Sequence, residues 1–271
     1  MDPMRGLALP AELDIYLAEL DRVLPAAAVA GVYLVGSTAL GDYRPGKSDL
    51  DILTLTRRHL SDDELDALDG MHRRLEKGTQ PHLDAGYVPC EWLGRLPEEG
   101  SPGHAHVVEG QFHRGGQGQE LVVWATLDQG GITLRGPEAK SWNAAPDAGA
   151  LRAWNLENLE AYWRAGFGQR AREVLRERDP DSELSASWAV WTATGPARLH
   201  RTIATGEIIS KTAAADYTAD LFPAYAPILM RAKASRLGDE SASFAARDGL
   251  ALADLVDEIC DDAASLAARP W

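Results

Sequence analysis

Val-Tyr-Leu-Val-Gly-Ser-Thr-Ala-Leu-Gly-Asp-Tyr-Arg-Pro-Gly-Lys-Ser-Asp-Leu-Asp-Ile, residues 32–52, is the stretch whose reading decides the fold. An apolar run, Val32 to Val35, stops at Gly36-Ser37, and a polar loop rich in Gly and Pro follows. A second apolar run opens with Asp49 and Asp51 and continues Ile52-Leu53-Thr54-Leu55. Strand alternation puts Asp49, Asp51 and Leu53 on one face and Leu50 and Ile52 on the other. Two carboxylates side by side on a half-buried strand repel each other and cost desolvation, and a shared cation relieves both. Oxygen ligands at this spacing suit Mg²⁺, which commonly takes one or two carboxylates and completes its shell with phosphate oxygens and water. Gly36 lets the backbone approach a phosphate, and Ser37 offers it a hydroxyl and an N–H. On the residues alone, a hairpin whose acids merely face solvent stays open.

Outward from this stretch, Pro10 to Val23 reads as an amphipathic helix on Leu13, Ile15, Tyr16, Leu20 and Val23. Downstream, Ser61 and Glu64 form a capping box that opens a helix carrying Leu65, Leu68, Met71, His72 and Leu75. His72 is read as a helix-surface or core residue. Pro81 to Pro89 reads as a strand in which Asp84 is a lone acid. Residues 94–119 read as loop, with Pro97, Pro102 and seven glycines. His104, His106 and His113 lie there, but their spacing matches no structural zinc pattern and no Cys joins them. Leu121 to Leu127 and Ile132 to Arg135 read as a helix and a strand. Residues 141–150 change composition, and nothing beyond them reads as a strand, so the boundary is placed there. The expected domains are 1–145 and 146–271. The second reads as five to six helices in an antiparallel bundle: one from Leu151, Ser182 to Arg201 interrupted at Thr194-Gly195-Pro196, one capped by Ser210, Pro223 to Leu237, and Ser243 to Ala268. The fold class is therefore α+β: a mixed sheet flanked by helices, followed by an all-α bundle.

Composition narrows the partners. The chain has 271 residues, is 45% hydrophobic and 25% charged, and carries a formal net charge of −14. A protein that grips nucleic-acid backbones normally shows a basic face. No Lys/Arg cluster of that kind is present in the sequence, so no nucleic-acid partner is expected, and the acidity suits a cationic small molecule. Cys90 and Cys260 form neither a disulfide framework nor a metal cluster. No signal peptide or membrane span is read, so the expectation is a cytoplasmic protein, a monomer or homodimer.

The pattern hydrophobic-Gly-Ser, eleven residues, then Asp-hydrophobic-Asp-hydrophobic resembles the signature of the DNA polymerase beta-like nucleotidyltransferase superfamily. The second half narrows the likeness. Arg198, then Thr205-Gly206-Glu207-Ile208-Ile209-Ser210-Lys211, Ala213 to Tyr217 and Phe222-Pro223-Ala224-Tyr225 resemble the C-terminal domain of the streptomycin/spectinomycin adenylyltransferases. The segment Leu121 to Pro137 resembles that family too.

The resemblance implies ATP-dependent, Mg²⁺-dependent transfer of AMP to a hydroxyl of an aminoglycoside or aminocyclitol antibiotic, a resistance activity. Asp49 and Asp51 would hold Mg²⁺. Asp84, standing where the family has a glutamate, would be the general base and a further metal carboxylate. Gly36, Ser37, Ser48, Arg198 and Lys211 would contact the nucleotide. Phe112 would represent a family tryptophan between the domains. Trp188 stands where the family has a drug-binding acid, and Glu157, Glu160 and Glu183 are the candidate amine contacts. The alternatives are a nucleotidyltransferase acting on another small molecule, a protein or a tRNA, or a degenerate nucleotide-binding module without activity.

Overall fold

The structure, a computed structural model, describes residues 10–76, 82–95, 103–116 and 120–267. Pro81, Pro97, Pro102 and Ala268, each used in the sequence reading, lie outside these residues.

The first half is built on a six-stranded mixed sheet. Its strands are β1 (Val29–Leu34), β2 (Leu50–Thr56), β3 (Leu83–Pro89), β4 (Ala105–Val108), β5 (Gln111–His113) and β6 (Ile132–Arg135). Their spatial order is β5-β4-β3-β2-β1-β6. Only β2 and β3 run parallel; α3 (Asp62–Glu76) bridges them, because parallel neighbours need a crossover. The capping box opening α3 is present: Ser61 N donates to Glu64 Oε2 at 2.8 Å, and Glu64 N to Ser61 Oγ at 3.4 Å.

Alternation along the strands gives the sheet two apolar faces. Val32, Leu34, Leu50, Ile52, Leu83 and Ala85 pack under α1 (Glu12–Val23) and α3, with His72 buried among them. Tyr33, Val35, Leu53, Leu55 and Val88 face the other way, onto α4 (Glu120–Gly130). That second core does not end at the expected boundary. Leu151, Trp154 and Ile208 belong to it, so both halves of the chain share one core.

The stretch 94–119, expected as loop, contains the β4–β5 hairpin. Ala105 and Val107 point inward, and the turn is Glu109-Gly110, both at positive φ (50° and 73°). A two-residue turn of that shape matches the strand twist and favours Gly at its second position.

The second half is helical: α5 (Ala148–Asn158), a π-helical continuation Leu159–Gly168, α6 (Gln169–Arg176), α7 (Ala186–Thr205), α8 (Lys211–Leu221), α9 (Ala226–Arg236) and α10 (Ala246–Ala267). It also holds one strand pair where none was expected, β7 (Glu183–Leu184) with β8 (Phe244–Ala245). The interruption expected at Thr194-Gly195-Pro196 does not occur. α7 runs through it, because a Cβ at Gly195 would lie 2.2 Å from the Trp163 indole, so the glycine is a seat for that ring. Burial on both sides outweighs the helix penalty of Gly and Pro.

Candidate active site

β1 ends at Leu34 and the chain turns into α2 (Gly36–Ala39) at Gly36, whose φ is +54°. A Cβ at Gly36 would stand 1.9 Å from Asp51 Oδ2. Only glycine allows the loop to press on that carboxylate. Val35 N donates to the carbonyl of Asp51 at 3.0 Å, tying the loop to the strand that carries the acids. Next along the sheet, Asp84 pairs with Asp51 in the β2–β3 register.

Burial raises the Asp51 carboxyl above its ordinary value; the backbone of Ser37 and the charge of Arg198 work against that rise. Burial likewise pushes Asp84 up to about 6, with the backbone N–H of Glu109 opposing and Asp51 and Asp49 adding to the rise. Asp84 Oδ1 accepts from that N–H at 3.1 Å. This bond turns Asp84 toward the hairpin. Among the described residues, no group of three or more His, Cys, Asp or Glu side chains is arranged to hold a metal ion. Asp84 is thus a register neighbour of Asp51, close enough for the charges of Asp51 and Asp49 to act on it. The His104, His106 and His113 rings lie near one another, with centroids 5.8 and 4.9 Å apart along the series.

Above the acids lies a cavity of about 180 Å³ between the halves. Gly36, Ser37, Ser48, Asp49 and Asp51 line it from the first half, and Arg198 and Lys211 from the second. Ser37 Oγ is buried with no hydrogen-bond partner among the described residues, and it borders this space. Such an orphan needs a partner from a ligand or water. Arg198 Nε donates to the carbonyl of Ile209 at 2.9 Å, which orients the guanidinium. Burial lowers the Lys211 ammonium, and the charges of Arg198 and Arg236 lower it further.

Asp42, Lys47 and Arg236 on these walls, and Gln129 nearby, were not singled out by the sequence. Asp42 is buried and accepts from Arg236 Nη2 at 3.0 Å and from the Thr212 hydroxyl at 2.7 Å. Lys47 Nζ donates to the carbonyl of Ser235 at 2.7 Å. Gln129, outside the cavity, exchanges two hydrogen bonds with the backbone of Ile208, at 2.8 and 3.0 Å. Together they fix α8 and α9 over the sheet. Asp42 could have been suspected from its place inside the loop; Arg236, 194 residues away, carries no local signal.

The expected acceptor contacts are dispersed. Phe112 packs beside His72 under the sheet, with ring centroids 6.3 Å apart. Trp188 stacks on Phe167 at 5.4 Å on another side of the bundle. Glu157 is exposed, Glu160 pairs with Arg164 at 3.1 Å, and Glu183 lies exposed in β7. None of these lines the cavity between the halves. No helix among the described residues is long and apolar enough to cross a membrane.

Comparison with known proteins agrees with this geometry. Residues 14–102 match the nucleotidyltransferase domain family, and residues 196–262 match the aminoglycoside adenylyltransferase C-terminal domain family. The fold matches a crystal structure of the spectinomycin adenyltransferase AAD(9) from Enterococcus faecialis with ATP and spectinomycin. The TM-score is 0.66 and the identity 15%, over 92% of this chain and 98% of that one. No curated protein sequence matches the chain.

Proposed function

We propose that this chain, a nucleotidyltransferase of the aminoglycoside adenylyltransferase type, transfers AMP from ATP to a hydroxyl of an aminoglycoside or aminocyclitol. The observation that carries the reading is the paired acids Asp49 and Asp51 facing Arg198 and Lys211 across one cavity. That is the charge arrangement a metal-bound triphosphate requires: carboxylates for the cation, cations for the phosphates.

The residues present fit Mg²⁺. The donors are all oxygen, two carboxylates is a usual protein share, and the remaining positions suit phosphate oxygens and water. Asp49 and Asp51 would hold the ion, whose contribution is to neutralise the triphosphate and polarise the α-phosphate. The loop at Gly36 brings backbone and the free Ser37 hydroxyl against the phosphates, with Ser48 beside them. Asp84 takes the proton from the acceptor hydroxyl. A base whose pKa lies near the working pH is both ionised and basic enough for that task. The acceptor oxygen bonds to the α-phosphorus as the bond to the bridging oxygen breaks. Pyrophosphate leaves with its charge balanced by Arg198 and Lys211. The net charge of −14 favours amine-bearing acceptors over nucleic acid.

Purified protein with ATP, Mg²⁺ and a panel of aminoglycosides should give a product heavier by one AMP, together with pyrophosphate. ATP hydrolysis or binding without transfer to any member of the panel would overturn the acceptor class.

A further inference from the structure

Both cations that face the acid pair depend on one short turn. α7 ends at Gly206, whose φ is +76°, and α8 begins at Lys211, where the Ser210 hydroxyl accepts from the N–H of Ala213 at 3.2 Å. Lys211 is therefore carried on the segment 208–212 itself. Arg198 is registered to the same segment, because its Nε donates to the carbonyl of Ile209 at 2.9 Å. Where the segment moves, both cations follow.

Two side chains from the acid-bearing half hold the ends of this segment. At one end stands Gln129, in the last turn of α4. It pairs with the backbone of Ile208 as a neighbouring strand would: Nε2 donates to the carbonyl at 2.8 Å, and Oε1 accepts from the N–H at 3.0 Å. Ile208 is itself buried in the core that Leu53 and Leu55 share. At the other end stands Asp42, whose Oδ2 accepts from the Thr212 N–H at 3.2 Å and whose Oδ1 accepts from the Thr212 hydroxyl at 2.7 Å. Thr212 follows Lys211 directly, in the first turn of α8, where a carboxylate also meets the positive end of the helix dipole. Asp42 is fixed in turn to the loop that presses on Asp51, since its N–H donates to the carbonyl of Ser37 at 2.9 Å. A continuous path of bonds thus runs from Asp51 through the Gly36 loop, Asp42 and Thr212 to Lys211.

Neither side chain is equipped to meet a phosphate. Gln129 does not line the cavity. Asp42 does, and a carboxylate there would repel the ligand unless its charge were spent on the protein. It is spent: besides Thr212, its oxygens accept from Arg44 and Arg236.

We infer, resting on the nucleotidyltransferase reading above, that Asp42 and Gln129 are positioning residues of the triphosphate site, which set through the segment 208–212 how far Lys211 and Arg198 stand from Asp49 and Asp51. Attraction between a cation and a phosphate falls with distance, and a hydrogen bond is lost over a fraction of its own length. A turn freed at either end therefore loses its grip on the phosphates while the fold persists.

The test is a double-mutant cycle on the full chain, read by calorimetry with Mg–ATP. Gln129→Met keeps the size of an exposed side chain and removes both bonds to Ile208. Alone it should raise the Kd for Mg–ATP about tenfold, a coupling within the range found for members of one hydrogen-bond network. With Lys211→Ala already in place, the same substitution should cost no more than about threefold, because the principal group it positions is gone. A residue that acts only by stabilising the fold would cost the same factor in both backgrounds. That outcome, or an unmoved Kd in Gln129→Met, overturns the inference. Asp42→Asn should show the same dependence on Lys211, and an equal factor in both backgrounds would remove Asp42 from the role. Should that variant not fold, Gln129→Met carries the test alone. Wild type that binds Mg–ATP but transfers AMP to no aminoglycoside would overturn the acceptor class and leave this cycle to judge the inference. Wild type that binds no Mg–ATP would overturn both.

Discussion

Replacing Gly36 by alanine separates two costs that the structure keeps distinct. Its φ of +54° lies in the left-handed region, where a Cβ costs about 1–2 kcal/mol. The same backbone cost applies at Gly41, whose φ is +67° but whose Cβ would meet nothing within 4 Å. At Gly36 the Cβ would stand 1.9 Å from Asp51 Oδ2, so the loop or the carboxylate must move by well over an ångström. Overpacking of that kind adds about 1–3 kcal/mol. Gly41→Ala should therefore melt modestly lower and keep its activity. Gly36→Ala should melt lower still, at about 2–4 °C for each additional kcal/mol. Its turnover should fall roughly 10²-fold, the cost of misplacing a catalytic group by about 1 Å. Melting curves and AMP-transfer rates on both variants, at a temperature where each is folded, provide the measurement. Equal activity in the two would refute the claim that Gly36 exists to admit the Asp51 carboxylate.

Three further outcomes are expected. Asp51→Asn should abolish transfer yet melt no lower than wild type, since burial already raises this carboxyl and its charged form is held at a cost; a lower melting point would show that the charge stabilises the fold. Asp84→Asn should lose about 10²- to 10⁴-fold in kcat with little change in the ATP KM, and wild-type kcat/KM should rise with pH and level off above about 6, because this base works only when ionised; a flat acid limb would exclude the role. His72 is buried and held neutral, its pKa lowered by burial from 6.5 to about 4. The unfolded chain thus binds the proton first, and stability falls by about 3 kcal/mol as pH drops from 6.5 to 4. Urea titrations of wild type and His72→Gln across that range should show this component only in wild type.

What the sequence made legible was what is local. The run from Val32 to Ile52 encodes strand, loop and acid pair within a few residues, and alternation alone places Asp51 and Leu53 on one face of β2. The Ser61–Glu64 box and the Ser210 cap are also local, and both stand in the structure. The losses share one cause: partners brought from afar. The β4–β5 hairpin hid in a glycine-rich stretch because its strands are short and owe their order to pairing with β3. Its one local cue was Glu109-Gly110 between Val108 and Gln111. Gly195-Pro196 reads as a helix break until the Trp163 indole is known to fill the missing Cβ. Trp188 sits ten residues before Arg198, but the register on α7 turns it onto Phe167, whereas Trp191 lies under the Lys211 ammonium. Spacing singled out Arg198 and Lys211, which line the cavity above the acids, but not Lys47 and Arg236 beside them.

On the proposed function, a chain of net charge −14 holds a triphosphate because the relevant field is local. Four cations, Lys47, Arg198, Lys211 and Arg236, meet Asp42, Asp49 and Asp51 around one small cavity. They are not equivalent. Arg236 is committed to Asp42, and Lys47 to the carbonyl of Ser235. Arg198 bonds a backbone carbonyl through Nε, and Lys211 lies over the Trp191 ring, and among the described residues neither makes an ion pair with a carboxylate. Burial strips water from both, which is costly for a cation and is offset when phosphate oxygens arrive. The committed pair, Arg236 with Asp42, fastens the second half of the chain over the first. The uncommitted pair is thereby delivered to the acids from the far side. The division of labour explains why Asp49 and Asp51 come from one half of the sequence and Arg198 and Lys211 from the other: the cavity exists only where the two halves meet, and it is lined by two cations that, among the described residues, make no carboxylate ion pair.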